Sequence, residues 1–160
     1  MNKQSRVLVL DFGGQYNLLV ARRVRECGVY CEIKPWSTPL EAVRAFAPDG
    51  IIFTGGPATV SEEGAPMIDP AMFALGVPVL GICYGQQLMT HLLGGSCRMA
   101  CTREYGKAEV THDGQSALFA GIEPTSVFWM SHGVEVDRLA PGFHAWAGSA
   151  DWPTAAPANL

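Results

Sequence analysis

Residues 77–92 read VPVLGICYGQQLMTHL, an apolar β-type run, then Cys83 between Gly81 and Gly85, then a helical run. A strand–turn–helix junction of this kind belongs to an α/β architecture. A glycine on each side of the central residue is the frame in which a nucleophile stands on a sharp strand-to-helix turn. The glycines are needed because such a turn crowds its flanking residues. The helix that follows sets its N-terminus under the sulfur, which favours the thiolate. A small buried cysteine at a strand end is the plainer alternative. Strand, helix and both glycines together favour the nucleophile.

The same punctuation recurs upstream. VLVLD (Val7 to Asp11) is an unalternating apolar run stopped by a polar residue and Gly13-Gly14, as in a strand buried on both faces. From Gln15 to Cys27, Val20, Val24 and Cys27 fall at helical spacing, and Gly28 sits where a helix C′ residue belongs. VYCEIK is expected as a second strand. TPLEAVRAFAPDG is expected as a helix with Thr38 as cap and Pro39 in its first turn, ended by Pro48 and Gly50. IIFT and VPVLGI supply a third and a fourth strand. Between them GGPATVSEEGAPMIDP makes a long connection before a short helix around Ala71 to Leu75. Strands alternating with helices imply an α/β fold with an open, mostly parallel sheet flanked by helices.

After residue 95 the pattern changes. CRMACTREYGKAEVTHDG, SVFWMSHGVEV and FHAWAGSAD read as shorter strands with turns, antiparallel additions to the parallel sheet. No repeat, low-complexity segment or linker divides the chain, so a single domain over residues 1–160 is expected. Its closing phrase, DWPTAAPANL, is an unusual end for an α/β domain, and the domain is expected to be incomplete at its C-terminus.

Composition narrows the class. With 160 residues and 48% hydrophobic content the chain can bury a real core. A formal net charge of −4, with basic residues scattered, offers no surface for nucleic acid or anionic lipid. The opening MNKQSRVLVLD has too short an apolar run for a secretory signal or a membrane span. Five cysteines without a secretory context read as reduced thiols in the cytoplasm. Cys97 and Cys101 lie about 13 Å apart if they share a strand, too far to hold one zinc ion. No metal site is expected.

Ligands of parallel sheets collect outside the carboxyl ends of the strands. Gly13-Gly14, Gly55-Gly56 and Cys83 all fall at that edge. TGGP (Thr54 to Pro57) could turn backbone N–H groups toward a developing oxyanion, although alone it would pass for an ordinary turn. DFGGQY lacks the spacing of a dinucleotide fingerprint, and no phosphate-loop motif occurs. Of four histidines, His91 lies two helical turns past Cys83 and His112 sits in a polar, solvated-looking turn. His144 is in an alternating strand beside Trp146. His132, in MSHG, is the most site-like, at an expected strand end, and spacing alone makes it the candidate base.

Five segments taken in order, Asp11 to Tyr16, Thr54 to Pro57, Gly81 to Gln87, Arg103 to Gly106 and Met130 to Gly133, resemble those of class I glutamine amidotransferases. DFGGQY and GICYGQQ are most similar to the N-terminal glutaminase domain of glutamine-hydrolysing GMP synthases. The resemblance implies the flavodoxin-like fold of that family. It also implies thiolate attack by Cys83 on the side-chain amide of glutamine, through a γ-glutamyl thioester, to give glutamate and ammonia. Gly56 and Tyr84 would supply backbone N–H groups to the oxyanion hole. Gln87, Ser131, His132 and Gly133 would hold the substrate, which removes His132 from the role of base. By the same resemblance the glutaminase would need no cofactor, and ATP and Mg would belong to a synthetase domain or subunit, the implied partner, which would aminate XMP to GMP. Two features depart from the family. Val134, then Glu135, stand where an Asp usually follows Ser-His-Gly. The catalytic His-Pro-Glu motif does not occur in the sequence, so impaired activity is expected. A non-catalytic module that binds glutamine or a synthetase, and another cysteine hydrolase of the same fold, are the alternatives.

Overall fold

The computed structural model describes residues 4–150 and 152–159, with side chains described for all of these except 101–104 and 159. The side chains of Cys101, Arg103 and Glu104, drawn on above, therefore lie outside the described residues. The chain parts into two compact units between Met89 and Thr90.

In the first unit the apolar runs form β1 (Arg6–Asp11), β2 (Tyr30–Pro35), β3 (Gly50–Phe53) and β4 (Val79–Gly81). They pair in parallel in the order β2-β1-β3-β4. Leu8, Val9, Leu10, Ile51 and Phe53 are almost wholly buried, each contributing about 1.5–3 kcal/mol of transfer free energy. The consecutive burial of Leu8, Val9 and Leu10 is why β1 lacks polar alternation. Val9 packs with Cys31 and with Ala21, Val20 and Val24 of α1 (Asn17–Glu26). The helix stops at Cys27, and Gly28 takes the left-handed conformation (φ 75°) expected of its position.

Helix α2 (Leu40–Phe46) begins differently from expectation. The Thr38 hydroxyl donates to the Pro35 carbonyl at 2.6 Å and caps no helix N–H, and Pro39 is the capping residue. The tight turn out of β2 brings the Pro35 oxygen within reach and claims the side chain first. The 57–69 connection leads into a 3-10 turn, Pro70–Leu75, capped by the Asp69 carboxylate accepting from Ala71 N–H at 2.9 Å. Helix α3 (Tyr84–Leu92) follows β4 directly.

The second unit holds an antiparallel sheet of β5 (Ser96–His112), β6 (Thr125–Arg138), β7 (Phe143–Gly148) and β8 (Ala156–Asn159), in the order β6-β5-β7-β8. Its core gathers Val110, Phe119 and Ala147 with Phe128, Met130 and Trp146. Instead of short strands, β5 and β6 are long ones that absorb irregularities as register shifts, one of them between Met99 and Glu104. A bulge lets pairing resume after a break, so apparent interruptions in the sequence do not end the strand. No helix among the described residues is long and apolar enough to cross a membrane.

Candidate active site

The carboxyl ends of β1, β3 and β4 deliver three loops to one place in the first unit. Cys83 occupies the left-handed region with φ 52°, which an ordinary side chain enters at a cost of about 1–3 kcal/mol. The turn is over-determined by its backbone. Ile82 N–H donates to Phe53 O at 2.9 Å, Gly85 N–H is shared between Ile82 O and Thr54 O, and Gln87 N–H reaches Cys83 O at 3.1 Å. Both framing glycines are forced by clearance. A Cβ on Gly81 would stand 2.6 Å from the Gly85 carbonyl carbon, and one on Gly85 would stand 2.4 Å from Phe53 O. The bend is thus a close crossing of backbones that no side chain could share.

Opposite the elbow lies the loop after β3. An added Cβ on Gly55 would touch the Cys83 Cβ at 3.4 Å and its Sγ at 3.9 Å, so this glycine lets the loop lie against the thiol. Its other side meets the loop after β1: Gly14 leaves room for Gly55 O, and Gly56 leaves room for Phe12 O, each with only about 2.5 Å to spare for a Cβ. The β1 loop is itself tied down. The Asp11 carboxylate accepts from Gly13 N–H at 2.6 Å and from the buried Asn17 amide. Among the described residues the Gly56 N–H donates to no protein acceptor.

The thiol sits in opposing fields. Cys83 is exposed at the surface of the loop cluster, but the protein packed around it desolvates the thiolate and pushes the thiol above its ordinary range. The Tyr84 N–H, first of the following helix, hydrogen-bonds the sulfur and pulls the other way. That single bond favours the thiolate, and burial outweighs it. Tyr84 is itself fully buried, with its hydroxyl donating to Pro66 O at 2.6 Å and its ring against Phe12.

Gln87 is buried on α3, where its side-chain oxygen accepts from Val60 N–H at 3.3 Å and so ties the 54–60 loop to the helix. Ser131, His132 and Gly133 belong to the second unit, inside β6 rather than at a strand end. His132 pairs across the sheet with residue 104, and its ring stands edge-on to the buried Trp152 at 3.9 Å. Val134 faces Met99, and Glu135 is engaged by Arg98 at 2.7 Å. His112 is not solvated: it is 6% exposed, stacked on Phe119 at 4.5 Å. Its Nδ1 accepts from Gly114 N–H while Nε2 bonds to Glu123 O. A polar turn beside it, Asp113-Gly114, disguised a ring folded back under that turn. No histidine precedes residue 91, so none lies in the unit that carries Cys83. Among the described residues no three His, Cys, Asp or Glu side chains gather to hold a metal ion.

Sequence reading passed over Thr54, Asp11 and Asn17 as working parts of these loops. Thr54 is 1% exposed, and a threonine placed directly before a glycine pair was the available signal.

The model of the glutamine amidotransferase class-I family matches residues 8–156 of this sequence. The chain belongs to the class I glutamine amidotransferase family. Within that family it is 56% identical over 153 residues to the glutamine-hydrolysing GMP synthase of Clostridium perfringens, covering 96% of this chain and 30% of the relative. The corresponding enzyme of Lachnospira eligens is 54% identical, with 96% of this chain and 29% of the relative covered. The chain thus spans about 30% of the length of the curated relatives it matches. Among solved structures, a Thermoplasma acidophilum protein described as one subunit of a GMP synthase superposes with a TM-score of 0.86 at 26% identity, over 99% of this chain and 80% of that one. A glutamine amidotransferase of Thermotoga maritima shares the fold, with a TM-score of 0.77 at 19% identity, over 99% of this chain and 73% of that one.

Proposed function

We propose that this chain is the glutaminase part of a GMP synthase, with Cys83 as nucleophile. The sulfur attacks the side-chain amide carbon of glutamine. The resulting oxyanion is held by the Gly56 and Tyr84 N–H groups, the C–N bond breaks, and the proton given up by the thiol ends on the nitrogen, which leaves as ammonia. Water then attacks the γ-glutamyl thioester, giving glutamate and restoring the thiol. The family resemblance assigns Gln87 and the Ser131-His132-Gly133 segment to holding the glutamine. The ammonia feeds a synthetase domain or subunit, where ATP and Mg serve the amination of XMP. The observation that carries this reading is Cys83 itself: a non-glycine in left-handed geometry, clamped between two obligatory glycines, with Gly55 of the preceding loop lying against it.

No histidine stands in the unit of Cys83, and burial raises the thiol. The His-Pro-Glu motif from which the family resemblance draws the base does not occur in the sequence, so on this reading no group takes the thiol proton to the leaving nitrogen, and general acid–base catalysis of about 10²–10⁴-fold is forfeited. The same two observations favour one alternative, a module that binds glutamine without turnover. Glutamate release separates these readings when measured on the chain, on its Cys83→Ser variant, and on a version extended by the family's His-Pro-Glu segment. Slow, Cys83-dependent release that rises steeply on extension supports the glutaminase. Glutamine binding with no release from either form supports the binding module. Fast release from the 160-residue chain contradicts the missing base.

A further inference from the structure

We propose that Thr54 is a positioning residue that aims the oxyanion-binding N–H of Gly56; this rests on the glutaminase reading above. Thr54 directly follows β3, beside β1, its own N–H donating to Leu10 O at 3.1 Å. Its side chain is wholly inside the protein. The hydroxyl has two partners: Phe12 N–H at 3.1 Å and Gly55 O at 3.1 Å. An amide N–H can only donate, so the Thr54 oxygen accepts from Phe12 and its single proton is committed to the Gly55 carbonyl. Neither partner could be exchanged for the other.

That commitment has a geometric consequence. Gly55 C=O and Gly56 N–H belong to one planar trans peptide and point in opposite directions. Pinning the carbonyl back onto Thr54 therefore fixes which way the Gly56 N–H points. A glycine pair would otherwise let this peptide rotate more freely than any other dipeptide. The second hydrogen bond extends the control to the neighbouring loop. Phe12 is held through its N–H, and its carbonyl abuts Gly56, where a Cβ would stand 2.4 Å away. Through its backbone carbonyl Thr54 also accepts from Gly85 N–H of the elbow at 3.1 Å. One residue thus joins the β1 loop, the glycine pair and the nucleophile turn.

The side-chain contribution can be removed without touching the backbone bonds. Thr54→Val keeps the shape and loses the hydroxyl, Thr54→Ala is the smaller companion should valine perturb folding, and Thr54→Ser restores the hydroxyl. The probe is a chloromethyl-ketone analogue of glutamine: the Cys83 sulfur forms a bond to its methylene carbon, chloride leaves, and the thiol proton passes to solvent. Its ketone oxygen takes the place of the amide oxygen. Iodoacetamide alkylates the same sulfur without binding as glutamine does. Labelling of Cys83 is followed by peptide mass mapping. The expected result is that Thr54→Val and Thr54→Ala slow the chloroketone reaction by about 10-fold or more, leave iodoacetamide labelling unchanged, and are rescued by Thr54→Ser. Equal chloroketone rates in all forms would overturn the proposal, as would an equal slowing of both reagents, which marks a structural effect on the thiol alone. If the unmutated chain shows no preference for the glutamine-like reagent, the glutaminase reading fails and the role of Thr54 falls with it.

Discussion

Cys83 and His132 carry a similar outward signature, a reactive side chain within two residues of a glycine, and the structure treats them oppositely. Around Cys83 the glycines are steric necessities, each facing a backbone atom within 2.6 Å of where a Cβ would be. Around His132 the phrase MSHG simply continues a long strand, and the ring rests on Trp152. A glycine next to a functional side chain therefore says little until the surrounding strand and helix show whether the backbone must turn. At residue 83 an apolar run and a helical run fix the turn between them. At residue 132 there is no such change of period.

The largest effect that would test this contrast comes from exchanging the two residues' fates. Cys83→Ser should abolish glutamate release and chloroketone labelling altogether. His132→Ala should leave the iodoacetamide reactivity of Cys83 unchanged while weakening protection by glutamine. Loss of Cys83 reactivity in the histidine variant would show that the two sites are chemically linked. Next in size, Gly85→Ala should destabilise the fold by about 3 kcal/mol through overpacking. Gly106→Ala, at φ 98° on β5 with nothing near its absent Cβ, should cost about 1 kcal/mol of backbone strain. Thermal melts of the two variants compare clearance with conformation directly; equal losses would break the contrast.

The pH dependence of Cys83 alkylation is a subtler test. Because burial raises the thiol, less thiolate is present at neutral pH than in a free cysteine of pKa about 8.5. The alkylation rate should keep rising above that value and level off only at higher pH. A plateau below it would mean that the Tyr84 N–H outweighs burial. Smallest of all, Thr38→Ala should cost only about 0.5–1 kcal/mol, the worth of one hydrogen bond to a turn carbonyl.

Much of the first unit was legible because its strands are short apolar runs, with Leu8, Val9 and Leu10 of β1 buried one after another. Gly28 was legible for a similar reason: a helix that ends in a left-handed residue announces it. The second unit was harder. β8 runs through Ala156-Pro157-Ala158, residues with little strand preference, and Pro157 is tolerated because β8 is the edge of its sheet. His112 was misjudged because its partners, Glu123 O and Phe119, come from the next turn of chain rather than from its neighbours. The chemistry of the candidate site was legible at Cys83 and only partly elsewhere. The bond from Phe12 N–H to the Thr54 hydroxyl joins residues 42 apart in sequence, and no local pattern encodes that meeting.

The central claim is that Cys83 is a nucleophile built for a glutamine side chain, and Cys27, exposed at the end of α1, is its internal control. Peptide mass mapping after exposure to the chloroketone analogue, with and without free glutamine, measures both thiols in one sample. The structure leads us to expect modification concentrated on Cys83 and suppressed by glutamine, with Cys27 reacting slowly and indifferently. Equal modification of the two cysteines, unaffected by glutamine, would contradict it.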